Sequence, residues 1–185
     1  FLHAPLFHPA MKNVAPIRKD LGLKTFFNML GPMINPAFPK YQLAGVFDLE
    51  LMRLYGYLYQ KGNQNFTILH SFSGHDEISL TSPCKFISNE KEGILSASDF
   101  GVEIVADQQI LGGNSIEESR SIFEEIISGK GTKAQNNVVC ANAGVAISMV
   151  KNTSIKEGFE LAKENLLNGK AKGSLERLIN LSQKL

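Results

Sequence analysis

Three consecutive segments constrain this chain more than anything else in it. YQLAGV (Tyr41 to Val46) reads as a buried strand. Asp48 is placed to cap a helix running through LELMRLYGYLYQKG to Gly62, and NFTILHSF (Asn65 to Phe72) reads as a second strand ended by Gly74. CKFISNEKEGILSASDFG (Cys84 to Gly101) alternates in two short halves around a charged turn, the pattern of a hairpin. Strand, helix, strand, hairpin and then helices predict an α/β domain.

The helices fall in the C-terminal third. Ser115 with Glu118, and Ser154 with Glu157, each form an S-x-x-E capping signature before an apolar periodic run. Ile155, Phe159, Ala162 and Leu166 share one face of the later helix, and Gly169 stops it. NVVCANAGVAISMV (Asn137 to Val150) is apolar almost all round, which predicts a central buried helix. With no internal repeat, low-complexity tract or linker, residues 1–185 are expected to form a single α/β domain.

Composition excludes several classes of function. The 185 residues are 43% hydrophobic and 20% charged, enough for one substantial core. Nineteen basic and 18 acidic residues leave a net charge of +1, which gives no bulk field for nucleic acid or an anionic membrane. Cys84 and Cys140 have no CxxC spacing, so a cysteine zinc site is excluded and both read as buried fillers suited to a reducing cytoplasm. No run of 18 apolar residues and no charged leader occur, and the expectation is a soluble cytosolic protein. Because the chain begins at Phe1 inside a running motif, processing or truncation is expected.

That motif starts with FHPAMKNVAPIRKDLG (Phe7 to Gly22), a helical pattern with Met11, Val14, Ala15, Arg18 and Gly22 on one side. Pro16 implies a kink or a second helical start near Ala15. Arg18 stands in the apolar stripe, and a guanidinium cannot shed its charge. Either an anion or structural carboxylate meets it, or its stem packs while the head reaches water. FFNMLGPMINPAFPK (Phe26 to Lys40) then predicts a short helix followed by a long ordered loop.

The second conspicuous stretch is HSFSGHDEIS (His70 to Ser79), which places Asp76 and Glu77 just beyond a strand. Open α/β sheets bind ligands outside the carboxyl ends of their strands. Two adjacent carboxylates there suit Mg²⁺, which fills its remaining positions with water and phosphate oxygens, although a solvated acidic turn has the same spacing. His75 is a weak candidate ligand because magnesium prefers oxygen. Neither GxGxxG nor GxxxxGK[ST] occurs, so Gly112 and Gly113 read as a tight turn into the helix capped at Ser115, and Gly129 and Gly131 as a helix end and loop. No Ser/His/Asp order or HExxH suggests a hydrolase.

HPAMKNVAPIRKDLGLKTFFNMLGPMINPA (His8 to Ala37) resembles the central signature of the anthranilate phosphoribosyltransferase family. GHDEIS, LGGNS and NNVVCANAGVAI are similar to later family motifs in the same order, so the resemblance spans essentially the whole chain. It implies the C-terminal part of a nucleoside phosphorylase/phosphoribosyltransferase-like domain, with a central, mostly parallel sheet flanked by helices. The activity implied is transfer of the phosphoribosyl group from phosphoribosyl pyrophosphate to the amine of anthranilate, releasing pyrophosphate, with Mg²⁺, in tryptophan biosynthesis. Arg18 would meet the anthranilate carboxylate through two parallel hydrogen bonds. His8 and Met11 would lie beside the same ring, Gly31 and Pro32 would line its channel, and Asp76 and Glu77 would hold the metal.

The family's Gly-Thr-Gly-Gly-Asp loop and Lys-His-Gly-Asn segment do not occur in these 185 residues. The resemblance therefore implies a C-terminal fragment, inactive alone, of a two-domain enzyme that is homodimeric when complete. His75 stands where the family often has an apolar residue. A paralogue that binds nucleic acid instead would need a basic groove and a degraded first motif, and the +1 charge and intact motif argue against it. A pyrimidine nucleoside phosphorylase would share the wider fold, but nothing resembles its nucleoside-binding pattern.

Overall fold

The structure, a computed structural model, describes residues 4–9, 13, 16, 17, 20 and 27–183. The chain divides into two compact units, Phe1–Lys40 and Tyr41–Leu185.

In the first unit, helix α1 covers Ala4–Phe7, and Asn13, Pro16, Ile17 and Asp20 are helical. Met11, Val14, Ala15, Arg18 and Gly22, the whole of the apolar stripe, lie outside the described residues. Helix α2 (Phe27–Leu30) tightens into a 3₁₀ turn at Gly31–Met33, with Pro32 in its first turn, where a missing N–H costs nothing. The loop that follows is ordered by Asn35, whose side-chain Oδ1 accepts from Ala37 N at 3.0 Å while its carbonyl accepts from Phe38 N at 3.1 Å. The short helix and ordered loop expected for Phe26 to Lys40 are both present.

The second unit is built on strands β1 (Tyr41–Gly45), β2 (Asn65–Ser71), β3 (Cys84–Ser88) and β4 (Glu92–Leu95), hydrogen-bonded in that order. Helix α3 (Leu49–Gln60) carries the chain back between β1 and β2, so those two run parallel. The other two pairings are antiparallel. The α/β class is as expected, but these four strands make a mixed sheet rather than a mostly parallel one. The reason is local: β2 and β3 are joined by a loop with no crossover helix, and β3 and β4 by a tight hairpin.

Helix α3 starts where Asp48 Oδ1 accepts from Leu51 N at 2.7 Å. It buries Leu51, Met52, Tyr55 and Tyr59 on one face, and the Tyr59 ring stacks on Phe66 of β2 with centroids 5.5 Å apart. The opposite side of the sheet is covered by α5 (Lys133–Lys151) and α6 (Ile155–Leu167), which share a core with Leu69, Cys84, Leu95 and Phe100. β2 is therefore buried on both faces. Cys84 and Cys140 are both buried free thiols.

Capping explains where these helices begin, with two departures from expectation. Ser154 and Glu157 form the reciprocal box at α6. At α4 (Ile116–Ile127), Ser115 caps Glu118 N, but the Glu118 carboxylate accepts from Asn114 N at 2.7 Å, one residue upstream of a true box. Helix α5 begins at Lys133, ahead of the apolar run, because Thr132 and Gln135 form a T-x-x-Q box that the run conceals. It is also less enclosed than its composition suggests, since Val139 and Val150 are exposed. Gly169, at φ 78°, ends α6 and opens α7 (Lys170–Ser182).

Candidate functional site

The residues between β2 and β3 form a loop whose backbone is fixed while its acids face water. Ser71, the last residue of β2, is fully buried and makes three hydrogen bonds to the loop. Its carbonyl accepts from Gly74 N at 2.9 Å, its N–H donates to His75 O at 3.0 Å, and its hydroxyl donates to Glu77 O at 2.6 Å. Gly74, at φ 91°, supplies the reversal such a tight path needs.

Two other elements hold the same segment. The Asp76 carbonyl lies directly against Gly45 at the end of β1, in the space a Cβ on Gly45 would occupy. From α5, Asn142 reaches the other side: its Oδ1 accepts from Ile78 N at 3.0 Å, and its Nδ2 donates to Ile78 O at 2.9 Å and to Val138 O at 2.9 Å. Ile78, Ser79 and Leu80 then turn inward and are buried. Leu80 does so at φ 60°, a left-handed conformation that costs a leucine on the order of 1–2 kcal/mol and is held here by core packing.

Asp76 and Glu77 themselves are exposed. Their backbone is anchored and their carboxylates are accessible, so the pair could hold a hard cation at the carboxyl end of a strand. Among the described residues, no group of three or more His, Cys, Asp or Glu side chains is placed to hold a metal. Two carboxylates alone could hold only a cation that completes its shell with water or other oxygens. His75 Nδ1 is engaged with Ser73 Oγ at 3.0 Å, within a hydroxyl cluster that also includes Ser79, Thr81 and Ser82.

Of the residues expected around an acceptor, His8 is half-buried and Pro32 likewise, and Gly31 is exposed with no atom within 4 Å of where a Cβ would project. Gly45, Ser71 and Asn142 were not anticipated from sequence. Only Asn142 left a signal, as a polar residue inside an otherwise apolar helical run. Among the described residues, no single helix is long and apolar enough to cross a membrane.

The chain belongs to the glycosyl transferase family, a/b domain, whose pattern matches residues 1–172. It is 62% identical over 181 residues to the anthranilate phosphoribosyltransferase of Flavobacterium johnsoniae, covering 98% of this chain and 55% of that protein. Two structures of the Saccharomyces cerevisiae anthranilate phosphoribosyltransferase superpose on the whole chain. The complex with 4-fluoroanthranilate gives a TM-score of 0.90 at 29% identity over 55% of its length. The complex with PRPP and Mg gives 0.89 at 30% identity over 53%. The chain thus spans about half the length of the curated relatives it matches, and the resemblance read from its motifs is borne out.

Proposed function

We propose that these residues form the metal-holding and acceptor-binding part of an enzyme that transfers the phosphoribosyl group from phosphoribosyl pyrophosphate to the amine of anthranilate. The observation that carries this reading is the anchored loop bearing the exposed Asp76 and Glu77 at the carboxyl end of β2. The solved neighbours bind PRPP with Mg, and 4-fluoroanthranilate, which supports the same substrates here.

Asp76 and Glu77 would hold Mg²⁺, since both are hard oxygen donors open to solvent. Bound there, the ion would neutralise charge on the departing pyrophosphate. Arg18 would pair with the acceptor carboxylate and orient its amine. His8 and Met11 would flank the ring, and Gly31 and Pro32 would border its path. A neutral aniline-type amine attacks an electron-poor C1 as the bond to pyrophosphate breaks, and its extra proton leaves to solvent, so no covalent nucleophile or dedicated base is required. A cytoplasmic location, no nucleic-acid partner and a homodimer for the complete enzyme belong to the same reading.

The test is a chimera in which these 185 residues replace the matching part of the Flavobacterium johnsoniae relative. It should consume anthranilate when given phosphoribosyl pyrophosphate and Mg²⁺. The 185 residues alone, which contain no Gly-Thr-Gly-Gly-Asp loop, should not. A folded chimera that leaves anthranilate untouched would overturn the assignment.

A further inference from the structure

We propose that Asn142 is a positioning residue for the acidic pair, setting the orientation of the Glu77–Ile78 peptide and thereby the direction in which the Asp76 and Glu77 carboxylates project. The inference rests on the metal-holding role given above to that pair.

The argument starts from one peptide plane. Its oxygen, Glu77 O, accepts from Ser71 Oγ at 2.6 Å, and its nitrogen, Ile78 N, donates to Asn142 Oδ1 at 3.0 Å. A peptide held at both ends cannot rotate, which fixes ψ of Glu77 and φ of Ile78 together. The plane before it is held by packing, with the Asp76 carbonyl against Gly45. Both carboxylates therefore leave a backbone whose torsions are set by residues from β1, β2 and α5.

Asn142 suits this task in a way that no apolar residue of α5 would. Both N–H donors and the carbonyl of its amide are engaged, with Ile78 N, Ile78 O and Val138 O. Only one of its two flip states satisfies all three, so its orientation is determined. The bond to Val138 ties the side chain to its own helix, and the pair of bonds to Ile78 spans 64 residues of sequence. Ile78 is 2% exposed, so its backbone polar groups have no ready replacement from water. Partners that orient metal ligands without touching the metal commonly change affinity about 10–100-fold when removed.

The experiment is a nuclear magnetic resonance titration of the ¹⁵N-labelled 185-residue chain with Mn²⁺, a paramagnetic ion that shares magnesium's preference for oxygen. Amide signals of residues 72–79 should broaden first. Asn142→Ala should raise the Mn²⁺ concentration at half-broadening about tenfold. Asn142→Leu, which keeps the branched side-chain skeleton and is a good helix former while deleting all three bonds, should do the same with the fold retained. If Asp76→Asn raises the midpoint but both Asn142 variants broaden at the wild-type concentration, Asn142 does not position the pair. If Asp76→Asn also leaves the midpoint unmoved, the metal-holding role itself fails and the inference falls with it.

Discussion

Gly144 of α5 and Gly158 of α6 meet backbone to backbone: a Cβ on Gly144 would stand 2.7 Å from the N and Cα of Phe159, and one on Gly158 would run into the Gly144 carbonyl. No side chain separates the helices at this point, and the Phe159 and Val145 side chains beside it are buried. Gly158→Ala should therefore force the helices apart and cost about 1–3 kcal/mol, the range for overpacking. Gly144→Ala should cost a similar amount, and the double variant less than the sum, because the first displacement already opens the crossing. Urea unfolding of the three variants checks this, and strict additivity would contradict it.

Gly45→Ala tests the acidic loop from the side of the sheet. The added methyl must displace the Asp76 carbonyl, since Gly45 itself cannot retreat without breaking its pairing with Leu69 in β2. The expected result is a Mn²⁺ midpoint raised by about tenfold with a smaller loss of stability than at Gly144, because Gly45 lies at the strand's exposed end. An unaltered midpoint would show that the carbonyl can move without moving the acids.

Alkaline stability should report on Cys140. Burial pushes its thiol up from 9.0 to about 11, with the Lys163 charge opposing the shift. The folded state then holds a proton that the unfolded chain releases, so stability from the neutral thiol is whole below pH 9 and is lost as pH rises through about 11. The effect is on the order of 2 kcal/mol for a group this enclosed. Urea midpoints between pH 8 and pH 11 should fall less steeply for Cys140→Ala than for the parent chain. Parallel curves would assign the decline to other groups.

In the active chimera, Arg18→Ala should raise KM for anthranilate far more than for phosphoribosyl pyrophosphate. On the proposed pairing, it would remove a charge-assisted interaction worth about 1.5–3 kcal/mol, or roughly tenfold to more than a hundredfold in affinity. Equal changes in both KM values would place Arg18 away from the acceptor.

What could be read from the sequence was what local chemistry decides. Asp48 and Ser154 announced their helices because a capping oxygen acts within three residues, and the βαβ order followed from apolar runs at the right lengths. The position of Asp76 and Glu77 in the loop after a strand was legible for the same reason. The Thr132 box was masked because the apolar run after Asn137 draws the eye past the true start. The strand pairing depended on whether a helix or a loop joins each pair, and the expectation of a mostly parallel sheet came from resemblance rather than from those connections. The Asn142–Ile78 bonds lie beyond any local rule, and Gly45 facing Asp76 is a relation between one strand's end and the loop after its neighbour, which no spacing encodes.

The three hydrogen bonds that Ser71 makes to its own loop also set a clock. With the backbone from Gly74 to Ile78 tied to a strand buried on both faces, the motion left to Asp76 and Glu77 is rotation about their own side-chain bonds. Exposed rotamers exchange in picoseconds to nanoseconds, whereas loop rearrangements take up to microseconds. On the proposed metal-holding role, an arriving cation would be met by carboxylates that have already sampled the orientations open to them. Its capture would then be paced by the ion shedding its own water rather than by the protein closing around it.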